Sequence, residues 1–233
     1  MLDFLILGGG SAGCVLAARL TENPKTSVLL VEAGRNISAK DMPANIRTRY
    51  PGRAFLDEKN IWPSLMARFG QANKHGSPAE PRRYEQGRIL GGGSAVNALV
   101  ANRGAPGDYD EWSEHGAEGW SWESVLPYFR KLETDHDFAD DYHGQDGPVP
   151  IRRITQAKMS PFVKLLCSTL NTRGYQSKTD QNGFWEDGIF LGAIAKDDKG
   201  HRVPTSSVYL RDEVRARPNL QIMTNHLADR IIF

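Results

Sequence analysis

The sequence predicts an α/β fold built around a mixed sheet, and three observations carry that prediction. The apolar run FLIL at residues 4–7 leads through a glycine turn and a helix-like stretch to a second apolar run, VLLV at 28–31. A second glycine-rich stretch, GRILGGGSAVNALVANRG, occupies 87–104. Strand-like and helix-like stretches then alternate to the end of the chain, the pattern of a sheet covered by helices.

The first of these is the most specific. Gly8, Gly10 and Gly13 fit G-x-G-x-x-G directly after the first strand, with Ser11 and Ala12 between the last two glycines. Glu32 closes the second strand about 20 residues on, followed by Ala33, as a dinucleotide fingerprint requires. Gly8 permits the tight turn, Gly10 lets backbone approach a pyrophosphate, and Gly13 lets helix and strand pack closely. The helix N-terminus offers unpaired N–H groups and a positive dipole end to the anion. Glu32 is placed to accept hydrogen bonds from a ribose diol, which favours FAD or NAD over NADP. The motif alone does not separate those two.

Residues 36–86 carry many breakers (among them Pro43, Pro51, Gly52, Pro63, Gly76 and Pro78) and read as a surface excursion with short helices. In the second glycine stretch, Gly91, Gly92, Gly93 and Ser94 follow Ile89 and Leu90, and their N–H groups can approach a bulky ligand. Two such loops suit a long cofactor with a pyrophosphate and a second polar end. Residues 108–134 read as helix broken by a turn at 115–120, with start signals at Asp108 and Ser121. The acidic stretch 135–141 reads as a solvated loop, 148–154 as a strand, and 160–173 as a helix capped by Ser160-Pro161 and stopped by Gly174. Residues 205–217 read as helix, and 219–224 and 230–233 as strands joined by a turn.

With 233 residues the chain can bury a real core in one large or two small domains. Charge is balanced, 29 Lys+Arg against 28 Asp+Glu, which argues against nucleic acid or an acidic membrane surface as partner. There is no uninterrupted apolar run of about 18 residues, so no membrane span is expected. With the fingerprint strand starting at Leu2 there is no room for a secretory leader after Met1, and the expected location is the cytoplasm. Cys14 and Cys167 are expected to be small buried apolar residues, forming neither a disulfide nor a metal site. His136 and His143 flank the acidic run and read as solvated; His75, His115, His201 and His226 read as turn or surface residues. Trp62 and Trp185 are candidates for the substrate side, with simple packing as the alternative.

The segment 87–97, GRILGGGSAVN, followed by Arg103-Gly104 and by DYDEW at 108–112, resembles the first signature of the glucose–methanol–choline (GMC) flavin oxidoreductases. GWSW at 119–122 leading into VLPYF, His143-Gly144 with Gly147-Pro148, and Arg202 with Thr205, Ser206, Tyr209-Leu210 and RPNL at 217–220 are similar to further family pieces, so the likeness runs the length of the chain. The resemblance implies a Rossmann-type FAD-binding domain over 1–150, the start of an α+β substrate domain over 151–200, and a return to the FAD-binding domain over 201–233. It implies that the turn Gly8–Gly13 holds the FAD pyrophosphate and Glu32 the adenosine ribose. The stretch Ile89 to Ser94, with Gly92 and Gly93, would run along the pyrophosphate and ribityl chain. Backbone of Asn97, Ala98, Leu99 and Val100 would lie against the isoalloxazine, and Ala228 stands where a valine usually pairs with adenine through its main chain. Gly93 and Ala101 depart from the family, where serine or threonine and an aromatic are common.

The activity implied is oxidation of an alcohol CH–OH, with hydride passing to flavin N5 and electrons then to oxygen or another acceptor. The family's catalytic histidine base, its His or Asn partner and a serine-rich signature are expected beyond Phe233. The chain therefore lacks the family's C-terminal half and is expected to be inactive alone. Two alternatives stay open beside alcohol oxidation: a lyase or decarboxylase on the same fold, and a non-catalytic remnant or half-enzyme needing a complementing C-terminal chain. An NAD-dependent dehydrogenase is the third, disfavoured by the second glycine loop.

Overall fold

The computed structural model describes residues 2–48, 50, 52–70 and 79–232. Pro51, His75, Gly76, Pro78 and Phe233 thus lie outside the described residues. In chain order the elements are β1 (Phe4–Leu7), α1 (Ser11–Leu20), β2 (Val28–Val31), α2 (Ala44–Arg47), α3 (Gly52–Phe55), β3 (Met66–Arg68) and β4 (Pro81–Arg83). They continue with α4 (Gly93–Val96), α5 (Pro106–Glu114), α6 (Trp122–Leu132), β5 (Glu133–Asp135), β6 (Val149–Arg152) and α7 (Pro161–Thr172). β7 (Ile194–Ala195), α8 (Thr205–Val208), α9 (Asp212–Arg215) and β8 (Leu220–Met223) complete the set. None of the described helices is long and apolar enough to cross a membrane.

The chain forms two compact units, Met1–Ala98 with Arg202–Phe233, and Leu99–His201. The chain passes from the first unit to the second after Ala98 and returns after His201.

In the first unit β1, β2 and β8 make a parallel sheet in that order, Phe4 opposite Val28 and Val28 opposite Leu220. The crossover helix α1 buries Gly13, Cys14, Ala17 and Ala18. These small residues let the helix lie close to the sheet, where Leu30 and Val28 are almost fully buried. Arg217 ties down the end of α1, its Nη1 donating to the Ala18 carbonyl and the Thr21 hydroxyl at 2.6 and 2.9 Å. β1 is the sheet edge, and among the described residues no strand pairs with its outer side; Phe4, Leu5 and Leu7 are exposed accordingly. The excursion 36–86 holds α2, α3, a 3-10 turn at Glu58–Asn60 and the small antiparallel pair β3-β4.

The predicted helix over 205–217 is instead two short helices, α8 and α9. Arg215 Nε donates to the Leu210 carbonyl at 2.5 Å, the acceptor that Val214 would need in a continuous helix; Val214 N–H bonds Arg211 O instead. The predicted strand at 230–233 is not formed by the described residues 230–232, since no neighbouring strand offers them a ladder. The turn before it is present, with Asn225 at φ +59°.

The second unit holds the mixed sheet β5-β6-β7, parallel between β5 and β6 and antiparallel between β6 and β7. α5 and α6 meet through Tyr109, which lies 5.4 Å from Trp112, 5.7 Å from Trp122 and 5.7 Å from Phe129 between ring centroids. α5 starts earlier than predicted: Pro106 occupies the first turn, and Asp108 reaches back to accept the Ala105 N–H at 3.2 Å. Ser121 is the residue preceding α6, as predicted. Ser160 caps α7, accepting the Val163 N–H. Cys14 is buried as expected, but Cys167 is only half-buried on α7, which buries no residue and exposes Phe162, Leu165 and Leu166.

The solvated loop expected at 135–141 is only partly so. Asp135 belongs to β5 and is buried, and His143 is buried with it. His143 Nδ1 lies 3.1 Å from Asp135 and 3.2 Å from Glu133, and its Nε2 is 2.9 Å from Asp180. Arg103 pairs with Glu133 at 2.8 Å, and Arg153 with Asp135 at 2.8 Å and Asp180 at 2.6 Å. Burial opposes charge on His143, but hydrogen bonds to Asp135, Asp180 and Glu133 outweigh it and push its pKa up to about 11. The imidazolium and two guanidiniums thus face three carboxylates. Glu133, Asp135 and His143 stand close enough to hold a metal ion, yet both ring nitrogens are engaged by carboxylates and the arginines already neutralise them. The group is an internal ion cluster.

Candidate cofactor cleft

A cleft of about 680 Å³ opens at the carboxyl ends of β1 and β2 in the first unit. Of the residues expected from sequence, Gly8, Gly10, Ser11, Ala12, Gly13, Glu32, Ala33, Gly92, Gly93 and Ala228 line it. The first turn is formed as its glycines require. Gly8 has φ +98°, and its N–H donates to the Val31 carbonyl at 2.8 Å. A Cβ on Gly13 would overlap the Gly8 carbonyl oxygen, so α1 meets the turn backbone to backbone. Gly10 is different: a Cβ there would meet nothing within 4 Å, its open side facing the cleft that it lines.

The second glycine loop packs against the first. Gly91 N–H donates to Gly9 O at 2.6 Å, and a Cβ on Gly92, at φ +50°, would stand 2.7 Å from Gly10 Cα. Glycines in this loop therefore serve contact between the two turns as well as the cleft. Glu32, buried, accepts from Gly9 N–H through Oε2 and from Gly34 N–H through Oε1, each at 2.7 Å. Each carboxylate oxygen keeps a further acceptor site.

Several expected residues sit behind the wall. Ile89 is fully buried, and its neighbours carry the loop. The Ser94 hydroxyl is spent internally, donating to Gly91 O at 2.6 Å and accepting Thr205 N–H at 3.0 Å. Asn97 and Ala98 are exposed at the end of α4, with Asn97 Oδ1 accepting from Arg202 Nη1 at 3.0 Å. Leu99 (φ +63°, buried) and Val100 (exposed) belong to the second unit.

The cleft also has walls that the sequence reading placed elsewhere or passed over. Trp62, a candidate for the substrate side, lines this cleft instead with Gln86, Gly87, His226 and Leu227. The Arg88 guanidinium covers its ring at 4.9 Å from the centroid, and Trp62 N–H donates to Gln86 O at 2.9 Å. Trp185 lies in the second unit, partly exposed. His201, in the second unit, is paired with Asp197 at 3.1 Å.

The geometry fits a long anionic dinucleotide. The first N–H groups of α1, at Ser11, Ala12 and Gly13, have no partner within the helix and stand at its positive end. Gly10 leaves space in front of them, and an acceptor carboxylate sits at the end of β2. Fold and cleft together define a dinucleotide-binding α/β unit.

The chain belongs to the GMC oxidoreductase family, whose model matches residues 2–233. It is 43% identical over 230 residues to a 5-(hydroxymethyl)furfural oxidase of Methylovorus sp., a match covering 96% of this chain and 42% of that protein. It is 39% identical over 238 residues to an oxygen-dependent choline dehydrogenase of Burkholderia thailandensis, covering 99% of this chain and 40% of the other. Among solved structures, an FAD-dependent oxidoreductase from Chaetomium thermophilum superposes with TM-score 0.85 at 30% identity, over 100% of this chain and 40% of that one. Pyridoxine 4-oxidase from Mesorbium loti gives TM-score 0.79 at 30% identity, over 97% and 42%. The chain thus spans about two fifths of the length of these relatives.

Proposed function

We propose that the natural-length protein is an FAD-dependent oxidoreductase acting on the CH–OH group of a small alcohol, and that residues 1–233 supply its cofactor site. The observation that carries this reading is the single cleft in which the two glycine turns and Glu32 meet. In it the N–H groups of Ser11, Ala12 and Gly13 hold the pyrophosphate, Gly10 giving it room. Glu32 accepts from the adenosine ribose with the lone pairs that Gly9 and Gly34 leave free, and Ala33 and Ala228 flank the adenine end. Gly92, Gly93 and the backbone from Ile89 to Ala98 serve the ribityl and flavin end. FAD, when bound, supplies the hydride-accepting chemistry.

His143 is locked in the ion cluster, His201 is paired with Asp197, and His226, in the cleft lining, falls at the adenine end of this reading. The base comes from the remainder of the protein or from a complementing chain, and residues 1–233 alone give no turnover. Oxygen or another acceptor then takes the electrons. The test is anaerobic mixing of the purified natural-length protein with 5-(hydroxymethyl)furfural, choline and pyridoxine. Bleaching of the flavin band by one of them supports the reading. A flavin that none of these nor a wider alcohol panel reduces refutes it, and release of carbon dioxide or aldehyde without bleaching points to the lyase alternative.

A further inference from the structure

Arg202 is buried to 1% exposure, yet among the described residues no carboxylate pairs with it. Its Nε donates to the Ile46 carbonyl of α2 at 3.2 Å. Its Nη1 donates to the Ser94 carbonyl at 3.2 Å and to Asn97 Oδ1 at 3.0 Å. The remaining nitrogen, Nη2, is buried and has no hydrogen-bond partner among the described residues. Burial lowers its pKa to about 10, so the side chain remains a cation at neutral pH. The other buried arginine among the described residues, Arg103, is met by Glu133 at 2.8 Å. A buried cation held only by neutral acceptors is costly, and such an arrangement persists where its charge is used.

What it holds is the second glycine loop. Ser94 lies in α4, one residue beyond Gly93, which lines the cleft, and Asn97 directly follows the helix. Three neutral acceptors from two separate segments converge on one side chain, which fixes that loop against α2. We propose that Arg202 is a positioning residue for the flavin end of the cofactor, and that its unpaired positive charge behind Gly93 favours the flavin in its reduced, anionic form. This rests on the reading that Ser94 to Asn97 serves the flavin end of FAD.

The test uses the natural-length holoprotein, with Arg202→Gln, which removes the charge, and Arg202→Lys, which keeps it and loses the planar fork. Midpoint potential of the bound flavin and the dissociation constant for FAD are read for each. Arg202→Gln is expected to lower the midpoint potential, whereas Arg202→Lys keeps the wild-type potential but weakens FAD about tenfold, the loss of about one charged hydrogen bond. An unchanged potential in Arg202→Gln overturns the assignment, because a purely structural arginine would move affinity and melting temperature alone. If Arg202→Gln is not recovered, Arg202→Lys decides: wild-type FAD affinity in that variant overturns the positioning role. A wild-type protein that takes up no FAD overturns both this assignment and the reading beneath it, and is distinguished by the absence of a flavin spectrum.

Discussion

Gly10→Ala separates the cofactor from the fold. A Cβ at Gly10 meets no atom within 4 Å, and the residue's φ of −73° with ψ of −164° is extended backbone open to any side chain. Two small terms act on stability in opposite directions. Alanine stiffens the unfolded chain, worth roughly 0.4–1 kcal/mol, and is a poorer residue before a helix than glycine by a similar amount. The net change is expected to stay within about 1 kcal/mol. Binding is another matter, since the methyl occupies the space through which a phosphate must approach the first N–H groups of α1. Losing one hydrogen bond to a charged group costs about 1.5–3 kcal/mol, or roughly 10- to 150-fold in affinity. The assay is FAD titration of the cofactor-stripped protein, with urea unfolding of the same sample. Gly13→Ala is the contrast: its Cβ would overlap the Gly8 carbonyl oxygen, so fold and binding should fail together. Wild-type FAD affinity in Gly10→Ala would refute the placement of the pyrophosphate.

Three other perturbations have defined outcomes. Leu30→Ala empties a fully buried site in the central strand and should destabilise the first unit by about 2–5 kcal/mol in urea unfolding. Glu32→Gln keeps the shape but turns one of two acceptor oxygens into a donor facing a backbone N–H; it should weaken FAD at least tenfold and lower the urea midpoint, as calorimetric titration and unfolding would register. His143→Gln leaves Asp135, Glu133 and Asp180 one cation short and should cost about 3–5 kcal/mol. The sign of its pH dependence follows from a folded pKa raised from 6.5 to about 11. The stabilisation is complete below pH 6.5 and declines as pH rises through that interval, by at most about 1.4 kcal/mol per unit. Wild type should therefore lose stability between pH 6.5 and 9.5 more steeply than the variant; parallel curves would show that His143 is not held as a cation.

The parts of this molecule that were legible in the sequence are those specified by neighbours along the chain. β1, α1 and β2 follow from an apolar run, a glycine turn and a run again, and α7 from its Ser160-Pro161 start. The cleft was legible to the extent that it is made of glycines and one acid at fixed spacing. What was not legible depends on distant partners. His143 sits in an acidic stretch that reads as solvated; Asp180, 37 positions away, joins Glu133 and Asp135 in holding it as a buried cation, while Arg103 and Arg153, 40 and 10 positions away, balance those acids. Trp62 joins the cleft because its N–H bonds Gln86 across a loop that has no periodicity. Residues 230–232 have strand composition, but a strand exists only where a ladder receives it, and none of the described strands does so. The break between α8 and α9 is set by the guanidinium of Arg215 capturing the Leu210 carbonyl, an interaction that helix propensity does not encode.

The most direct measurement is the absorption spectrum and released cofactor of the purified natural-length protein, followed by titration of the stripped protein with FAD and with NAD. One FAD per chain, with a flavin band, stoichiometric rebinding of FAD and no competition from NAD, is the result that a cleft formed by Gly10, Glu32 and Gly92 predicts. A colourless protein that binds NAD, or that binds neither nucleotide after correct folding, would contradict it.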